Sequence, residues 1–267
     1  MSTHAERVDR QFSEAAQRYL GSDVHAKGKD LDWLSGIVER HRPRRVLDLG
    51  AGAGHVSYRV APHVRSVTAL DPSREMLSVI ERESLSRGIP NIETRTGVST
   101  AIPFGDGTFD CIVSRYSAHH WSDLQTALAE CFRVLVPGGR ILMMDSSSPR
   151  ETLLDTWLQT IELLRDTTHV RSHSLSEWEG MLDRAGFEVV SLQAGKVVLP
   201  FLSWVQRSGT TEERSRMIRQ LFDLAPEEVR EYYLKNGGND LVIEIDTLMI
   251  EAVSRQGDEP AVQGRVR

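Results

Sequence analysis

An acidic residue and three alternate glycines, Asp48-Leu49-Gly50-Ala51-Gly52-Ala53-Gly54, separate a short apolar run, Arg45 to Leu49, from the helical spacing that starts at His55. A strand that ends in glycines and turns straight into a helix is the opening of a β-α unit. Glycine takes left-handed backbone angles at little cost and lets a ligand approach the chain, while the following helix offers N–H groups with no partner in their own helix. The pattern then repeats. Ser66 to Leu70 is a second strand, stopped by Asp71-Pro72, and Met76, Leu77 and Ile80 recur at core-facing spacing until Arg87-Gly88. Asn91 to Arg95, Thr108 to Ser114 and Arg140 to Asp145 read as further strands, with an amphipathic helix from Leu124 to Leu135 before the last of them. Strands alternating with helices predict a parallel sheet with right-handed crossovers, an α/β fold.

Beyond Asp145 the pattern changes. Helical spacing at Leu153 to Leu164 and Leu175 to Arg184 leads to a sixth strand, Phe187 to Leu192, and Leu241 to Val253 alternates as a final strand, expected on the edge of the same sheet. Between them Leu202 to Leu234 is helical in pattern and is expected to cap the strand ends, where α/β folds bind ligands. The expected organisation is an N-terminal helical lid over 1–43, an α/β domain over 44–200 and 240–254, a helical cap inserted at 201–239 before the last strand, and a frayed tail over 255–267.

Composition narrows the partners. With 267 residues, 40% of them hydrophobic, the chain can build a substantial core. A net charge of −6 gives no general attraction to nucleic acid or to an anionic membrane, and the one basic run, His41 to Arg45, has no interleaved aromatics. Cys111 and Cys131 sit in apolar contexts as small buried hydrophobes, which fits a reducing compartment. The charged N-terminus has no secretory apolar segment and no later stretch reaches the ~20 apolar residues of a membrane span, so a soluble cytoplasmic protein is expected.

The glycine spacing discriminates between cofactors. A dinucleotide fold has G-x-G-x-x-G, whereas here the third glycine comes one residue early and an acid precedes the loop. Asp71 follows Gly50 by 21 residues at a strand end, where a carboxylate can accept both hydroxyls of a ribose. The loop resembles the first motif of the class I S-adenosylmethionine-dependent methyltransferases, an acidic residue followed by G-x-G-x-G. Ile102-Pro103-Phe104 with Phe109-Asp110, and Leu135-Val136-Pro137-Gly138-Gly139, resemble the LPF-x-D-x-x-F-D and L-x-PGG signatures of the type 11 group, which includes the ubiquinone and menaquinone C-methyltransferases. The blocks 24–31, 114–121, 164–171 and 176–178 are similar to the bacterial YcgJ and YafE type, so the resemblance covers most of the chain.

The resemblance implies a Rossmann-like sheet of seven strands flanked by helices, with S-adenosylmethionine as the methyl donor and S-adenosylhomocysteine as the product. It implies cofactor contacts from Asp48, Gly50, Ala51, Gly52, Asp71, Pro72, Met76, Gly97, Val98, Ser99, Ser114 and Arg115. Tyr19 and His25, upstream of the first strand, can fold over the cofactor as a lid or serve in ordinary helix packing. Val98 departs from the pattern, since many members carry an acid there, so adenine would be read by backbone N–H groups or the Ser99 hydroxyl.

On the acceptor side the loop that follows the fourth strand holds Tyr116, His119, His120 and Trp121. An imidazole titrates near neutral pH, so His119 or His120 can take a proton from an acceptor that must lose one; equally, both rings can brace the loop beside Trp121. Arg115 and Tyr116 can orient the acceptor or the cofactor's carboxylate, or Arg115 can close a rim salt bridge. Arg165, His169 and Arg171 can select an anionic substrate or form an internal ion-pair network. Adjacent histidines do not converge on one ion and no third ligand stands at a metal-site spacing, so no metal is expected. These residues point to a methyltransferase for a small-molecule acceptor. The alternatives are one acting on RNA or protein, or a binding protein without catalysis. The sequence is silent on oligomeric state.

Overall fold

The structure is a computed structural model that describes residues 3–20, 28–235 and 241–255, without the side chains of 14–20. After helices α1 (His4–Leu20) and α2 (Lys29–His41), the chain runs β1 (Arg45–Leu49), α3 (His55–Val60), β2 (Ser66–Asp71), α4 (Arg74–Ser86), β3 (Ile92–Thr96) and β4 (Phe109–Arg115). It continues through α5 (Leu124–Val134), β5 (Leu135–Ser146), α6 (Thr152–Arg165), α7 (Leu175–Arg184) and β6 (Phe187–Pro200). Three helices follow, α8 (Phe201–Arg207), α9 (Glu212–Leu224) and α10 (Glu227–Tyr233), then the two-residue β7 (Leu234–Lys235) and the long β8 (Val242–Ser254).

The sheet order is β3-β2-β1-β4-β5-β8-β6, a path of seven strands to which β7 adds an eighth by pairing with β8. The first five strands of that path are parallel, and β8 runs antiparallel to both β5 and β6. β1 is buried from Val46 to Leu49, which explains its unbroken apolar run: a parallel strand covered on both faces has no polar side. The reversal of strand order at β1 and β4 opens a crevice at their carboxyl ends.

The last strand corrects one expectation. β8 lies inside the sheet, and β6 is the edge. Leu248, Ile250 and Ala252 are fully buried, whereas β6 alternates toward exposed residues such as Glu188 and Val190, so burying β8 between two neighbours covers more apolar surface. β6 is also longer than expected, pairing with β8 as far as Pro200.

One face of the sheet packs Leu128, Cys131, Trp178, Leu182 and Phe187, drawn largely from α5 and α7, and the other packs Leu34, Val38, Val56 and Val60 from α2 and α3. Cys111 and Cys131 are buried free thiols in these cores. A separate core joins α8, α9 and α10 to α6 and to the far ends of β6 and β8, through Leu158, Trp204, Phe222, Tyr233 and Ile245. Helix starts follow local chemistry: Ser73 caps α4 by accepting from the Met76 N–H, and Ser174 with Glu177 forms a capping box on α7. Among the described residues no helix is long and apolar enough to cross a membrane.

Candidate active site

The glycine turn is tied down from beneath. Gly50 and Gly52 take left-handed φ values of 72° and 52°, and the N–H groups of Gly50 and Ala51 both donate to the Leu70 carbonyl at 2.8 and 3.1 Å. Asp71 accepts from the Gly52 N–H and the Ser73 N–H, each at 2.9 Å, so one carboxylate joins the turn to the start of α4. A Cβ at Gly50 would lie 1.9 Å from Ser117 Oγ, whereas one at Gly52 would meet nothing within 4 Å. Gly50 is required by its neighbours; Gly52 faces open space.

Asp48 is buried under the turn and accepts from the Ser57 hydroxyl at 2.6 Å. Burial pushes its carboxyl up to about 7, and burial likewise raises Asp71 to about 6 against the pull of its two backbone hydrogen bonds.

A cleft of about 1150 Å³ opens over this turn. Of the residues named from sequence, Asp48, Gly50, Ala51, Gly52, Asp71, Pro72, Met76, Gly97, Val98, Ser99, Arg115, Tyr116, His120 and Trp121 line it. Ser114 does not; its hydroxyl donates to the Leu49 carbonyl at 2.7 Å and pins β4 to β1. Arg115 is ion-paired with Asp30 and lies over the Tyr116 ring, 5.1 Å from its centroid. Tyr19 falls within α1, where its side chain is outside the described part, and His25 lies outside the described residues.

The N-terminal helix lines this cleft with His4, Ala5, Val8 and Phe12. The i, i+4 spacing of Val8 and Phe12 could have signalled it. Hydrogen bonds clamp α1 across the molecule, among them His4 Nε2–H to the His120 carbonyl at 2.8 Å, Gln11 to the Ser208 carbonyl at 2.6 Å, Ser13 with the Ser73 hydroxyl at 2.9 Å and Arg7 to the Thr167 carbonyl at 3.3 Å.

A second cavity, of about 600 Å³, adjoins the first; Phe12, Tyr116 and His120 line both. Tyr116 has φ 52°, a left-handed angle that is strained for a ring-bearing residue, and its N–H donates to the Met144 carbonyl at 2.8 Å. His119 Nδ1–H donates to Asp145 at 2.5 Å, while the same carboxylate accepts from the backbone N–H groups of His119 and Ser146. Burial opposes charge on His119, but the buried Asp145 carboxylate outweighs it and the pKa lies above the ordinary histidine value. Burial disfavours the charged carboxylate of Asp145 too, yet the attraction of His119 holds it below the usual range. His120 is the opposite case: burial and the charge of His119 push it down to about 4, and its Nδ1–H donates to the Thr168 carbonyl at 3.1 Å.

The remaining residues named from sequence separate. Arg165 lines the second cavity, pairs with Glu162 at 2.9 Å and donates through Nε to the Trp204 carbonyl. His169 sits behind His119, donating to Gln159 at 2.9 Å, with burial pushing it down to about 2. Arg171 pairs with Asp155 and Glu177, away from both cavities. Sequence reasoning missed Asp145, Glu162, Trp204 and Arg207. Only Asp145 carried a signal, as a charge ending the apolar run RILMMD.

Residues 47–143 match the family described as methyltransferase domain. The uncharacterized methyltransferase YcgJ of Bacillus subtilis is 33% identical over 247 residues, 91% of this chain and 98% of that one. YafE of Escherichia coli is 41% identical over 203 residues, 76% of this chain and 97% of that one. The chain belongs to the methyltransferase domain family. The solved structure of YcgJ superposes on this methyltransferase with a TM-score of 0.79 at 32% identity, covering 85% of this chain and 99% of that one. The enzyme is thus of the S-adenosylmethionine-dependent class, and the larger cleft lies at the carboxyl ends of β1, β2 and β4.

Proposed function

We propose that this methyltransferase transfers the methyl group of S-adenosylmethionine, held in the larger cleft, to a small molecule held in the second cavity. The observation that carries the reading is the common wall: Phe12, Tyr116 and His120 border both spaces, so a donor in one and an acceptor in the other meet at a single place. The residues fit the donor. The open side of Gly52 admits a ligand against the backbone, and each Asp71 oxygen retains acceptor capacity for ribose hydroxyls beyond its single backbone bond.

When bound, the sulfonium supplies an electrophilic methyl carbon. The protein then has to align the nucleophile and exclude water, effects that account for about 7–11 kcal/mol of barrier in well-oriented reactions. α1 and the helices around Trp204 close the two spaces. His119 is the general base: Asp145 holds Nδ1–H, so neutral His119 has its lone pair on Nε2 and its protonated form is stabilised by the carboxylate. A net charge of −6 supports a small acceptor over a nucleic acid.

The test is transfer of tritium from methyl-labelled S-adenosylmethionine into a lysate of the source cells, fractionated into small molecules, protein and nucleic acid. Label in the small-molecule fraction that is lost with Asp71→Ala is the expected result. Label in a polymer, or none despite bound cofactor, would overturn the reading.

A further inference from the structure

His119 and His120 line the second cavity side by side, and each has its Nδ1 turned to a partner behind it. The Asp145 carboxylate accepts Nδ1–H of His119. The Thr168 carbonyl accepts Nδ1–H of His120 at 3.1 Å, with the Thr168 hydroxyl beside it at 3.2 Å. A carbonyl only accepts, and that hydroxyl already donates to Asp166 at 2.6 Å, so Nδ1 of His120 keeps its proton and Nε2 bears a lone pair. Neither Nε2 has a hydrogen-bond partner among the described residues, and neither is closed off from open space. The backbone beneath is pinned, since the Val170 N–H donates to the His119 carbonyl and His4 to the His120 carbonyl, both at 2.8 Å. The two rings therefore stand fixed, with centroids 4.1 Å apart and planes inclined by 47°.

Two adjacent lone pairs suit a ligand with two adjacent donors. Resting on the reading that this cavity holds the acceptor, we propose that the acceptor is a catechol-type compound, an aromatic ring with neighbouring hydroxyls, one deprotonated by His119 and the other held by His120. The two imidazoles divide the work because of what stands behind them: a carboxylate stabilises the imidazolium of His119, whereas a neutral carbonyl gives His120 no such support and it stays an acceptor. Burial and the charge of His119 favour the neutral ring of His120 as well. A base serves a hydroxyl and is superfluous for a free amine, and a phenol, with its pKa near 10, is far easier for an imidazole to deprotonate than an alcohol. A lone phenol would leave the His120 lone pair unanswered inside the closed cavity, which is how a site built for a hydrogen bond rejects the analogue that lacks it. Phe12, Trp204, Leu199 and Ile245 give the ring apolar walls. In the transfer one hydroxyl proton passes to His119 Nε2 and that oxygen forms a bond to the methyl carbon. The carbon–sulfur bond breaks with its electron pair left on sulfur, so the sulfonium becomes a neutral thioether and the product is a monomethyl ether.

The experiment offers the purified enzyme 4-methylcatechol, 4-tert-butylcatechol and 2,3-dihydroxynaphthalene with labelled donor, beside the matched monophenols 4-methylphenol, 4-tert-butylphenol and 2-naphthol and the 1,3- and 1,4-dihydroxybenzenes. Cofactor binding is measured on the same preparation by calorimetry. At least one vicinal diol should give a monomethyl ether, with kcat/KM about tenfold or more above its monophenol. His120→Phe keeps a ring in place and should bring diol and monophenol close together, a ratio that a merely structural role would not move. His120→Gln, which retains an acceptor, should restore part of the preference, and His119→Ala should abolish transfer to both. Equal rates for diols and monophenols, preference for the separated diols, or a preference that survives in His120→Phe would overturn the proposal, as would failure of every vicinal diol while cofactor binds. Failure to bind cofactor would instead sink the underlying assignment of the larger cleft, and the proposal with it.

Discussion

Asp48 allows a pH-dependent stability to be worked out in advance. It is 1% exposed, accepts from the Ser57 hydroxyl, and has its carboxyl raised by burial from 3.8 to about 7. Because the folded chain keeps this proton where the unfolded chain has lost it, the contribution to stability is present below about pH 4 and disappears as pH rises through about 7. A shift of about 3 units corresponds to about 4 kcal/mol in all, of which about 3 kcal/mol is lost between about pH 5 and about pH 8. Asp48→Asn removes the titration while keeping an acceptor for Ser57. Urea unfolding of both proteins at the two pH values isolates this group, since the other titrating groups cancel in the difference. The expected outcome is that the variant gains about 3 kcal/mol relative to the parent on going from the lower pH to the higher. A difference that stays constant within about 1 kcal/mol would refute the argument that Asp48 titrates inside a dry site. A carboxylate kept at such a cost under the glycine turn is expected to serve the cleft, so the stabilised variant should also bind S-adenosylmethionine more weakly.

The two loop glycines should respond differently. Gly50→Ala drives a Cβ to 1.9 Å from Ser117 Oγ and is expected to destabilise the protein, while Gly52→Ala, with nothing within 4 Å, should cost about 1 kcal/mol of fold yet abolish cofactor binding by calorimetry. In Asp145→Asn, His119 keeps its burial and the nearby Arg165 but loses the carboxylate, so its raised pKa should fall, with Glu162 and neutral His120 left as its other polar neighbours. The rising limb of kcat/KM against pH should move to lower pH and kcat should fall by about 10²-fold or more. Trp178→Ala, at 1% exposure in the main core, should cost about 3–5 kcal/mol by urea unfolding without shifting the pH profile.

Local chemistry made much of the fold legible. The run Asp48 to Gly54, the stop at Asp71-Pro72 and the apolar strands each encode their structure within a few residues, because turns, caps and buried strands depend on side chains that are close in sequence. Many residues of the larger cleft were legible for the same reason: they stand at or just beyond a strand end, and parallel strands bring their carboxyl ends together whatever lies between them. The position of β8 was not. An alternating strand reads alike at an edge or inside a sheet, and only the relative burial of Ile250 and Val190 decides which of β8 and β6 goes inside. The second cavity was hidden more deeply. Tyr116, His119, His120 and Arg165 were candidates from their own segments, but Phe12, Glu162, Trp204 and Arg207 are scattered over nearly two hundred positions, and none is distinctive in its own segment. The pairing of His119 with Asp145, and the pairing of Arg171 with Asp155 and Glu177 away from both cavities, follow from which elements pack together once α6 and α7 lie against the sheet. The sequence by itself determined the turn, the strand pattern and the class of chemistry, since these are properties of neighbouring residues. Tertiary structure alone decided the lining of the second cavity, because charge, burial and distance between remote side chains exist only after the chain has closed.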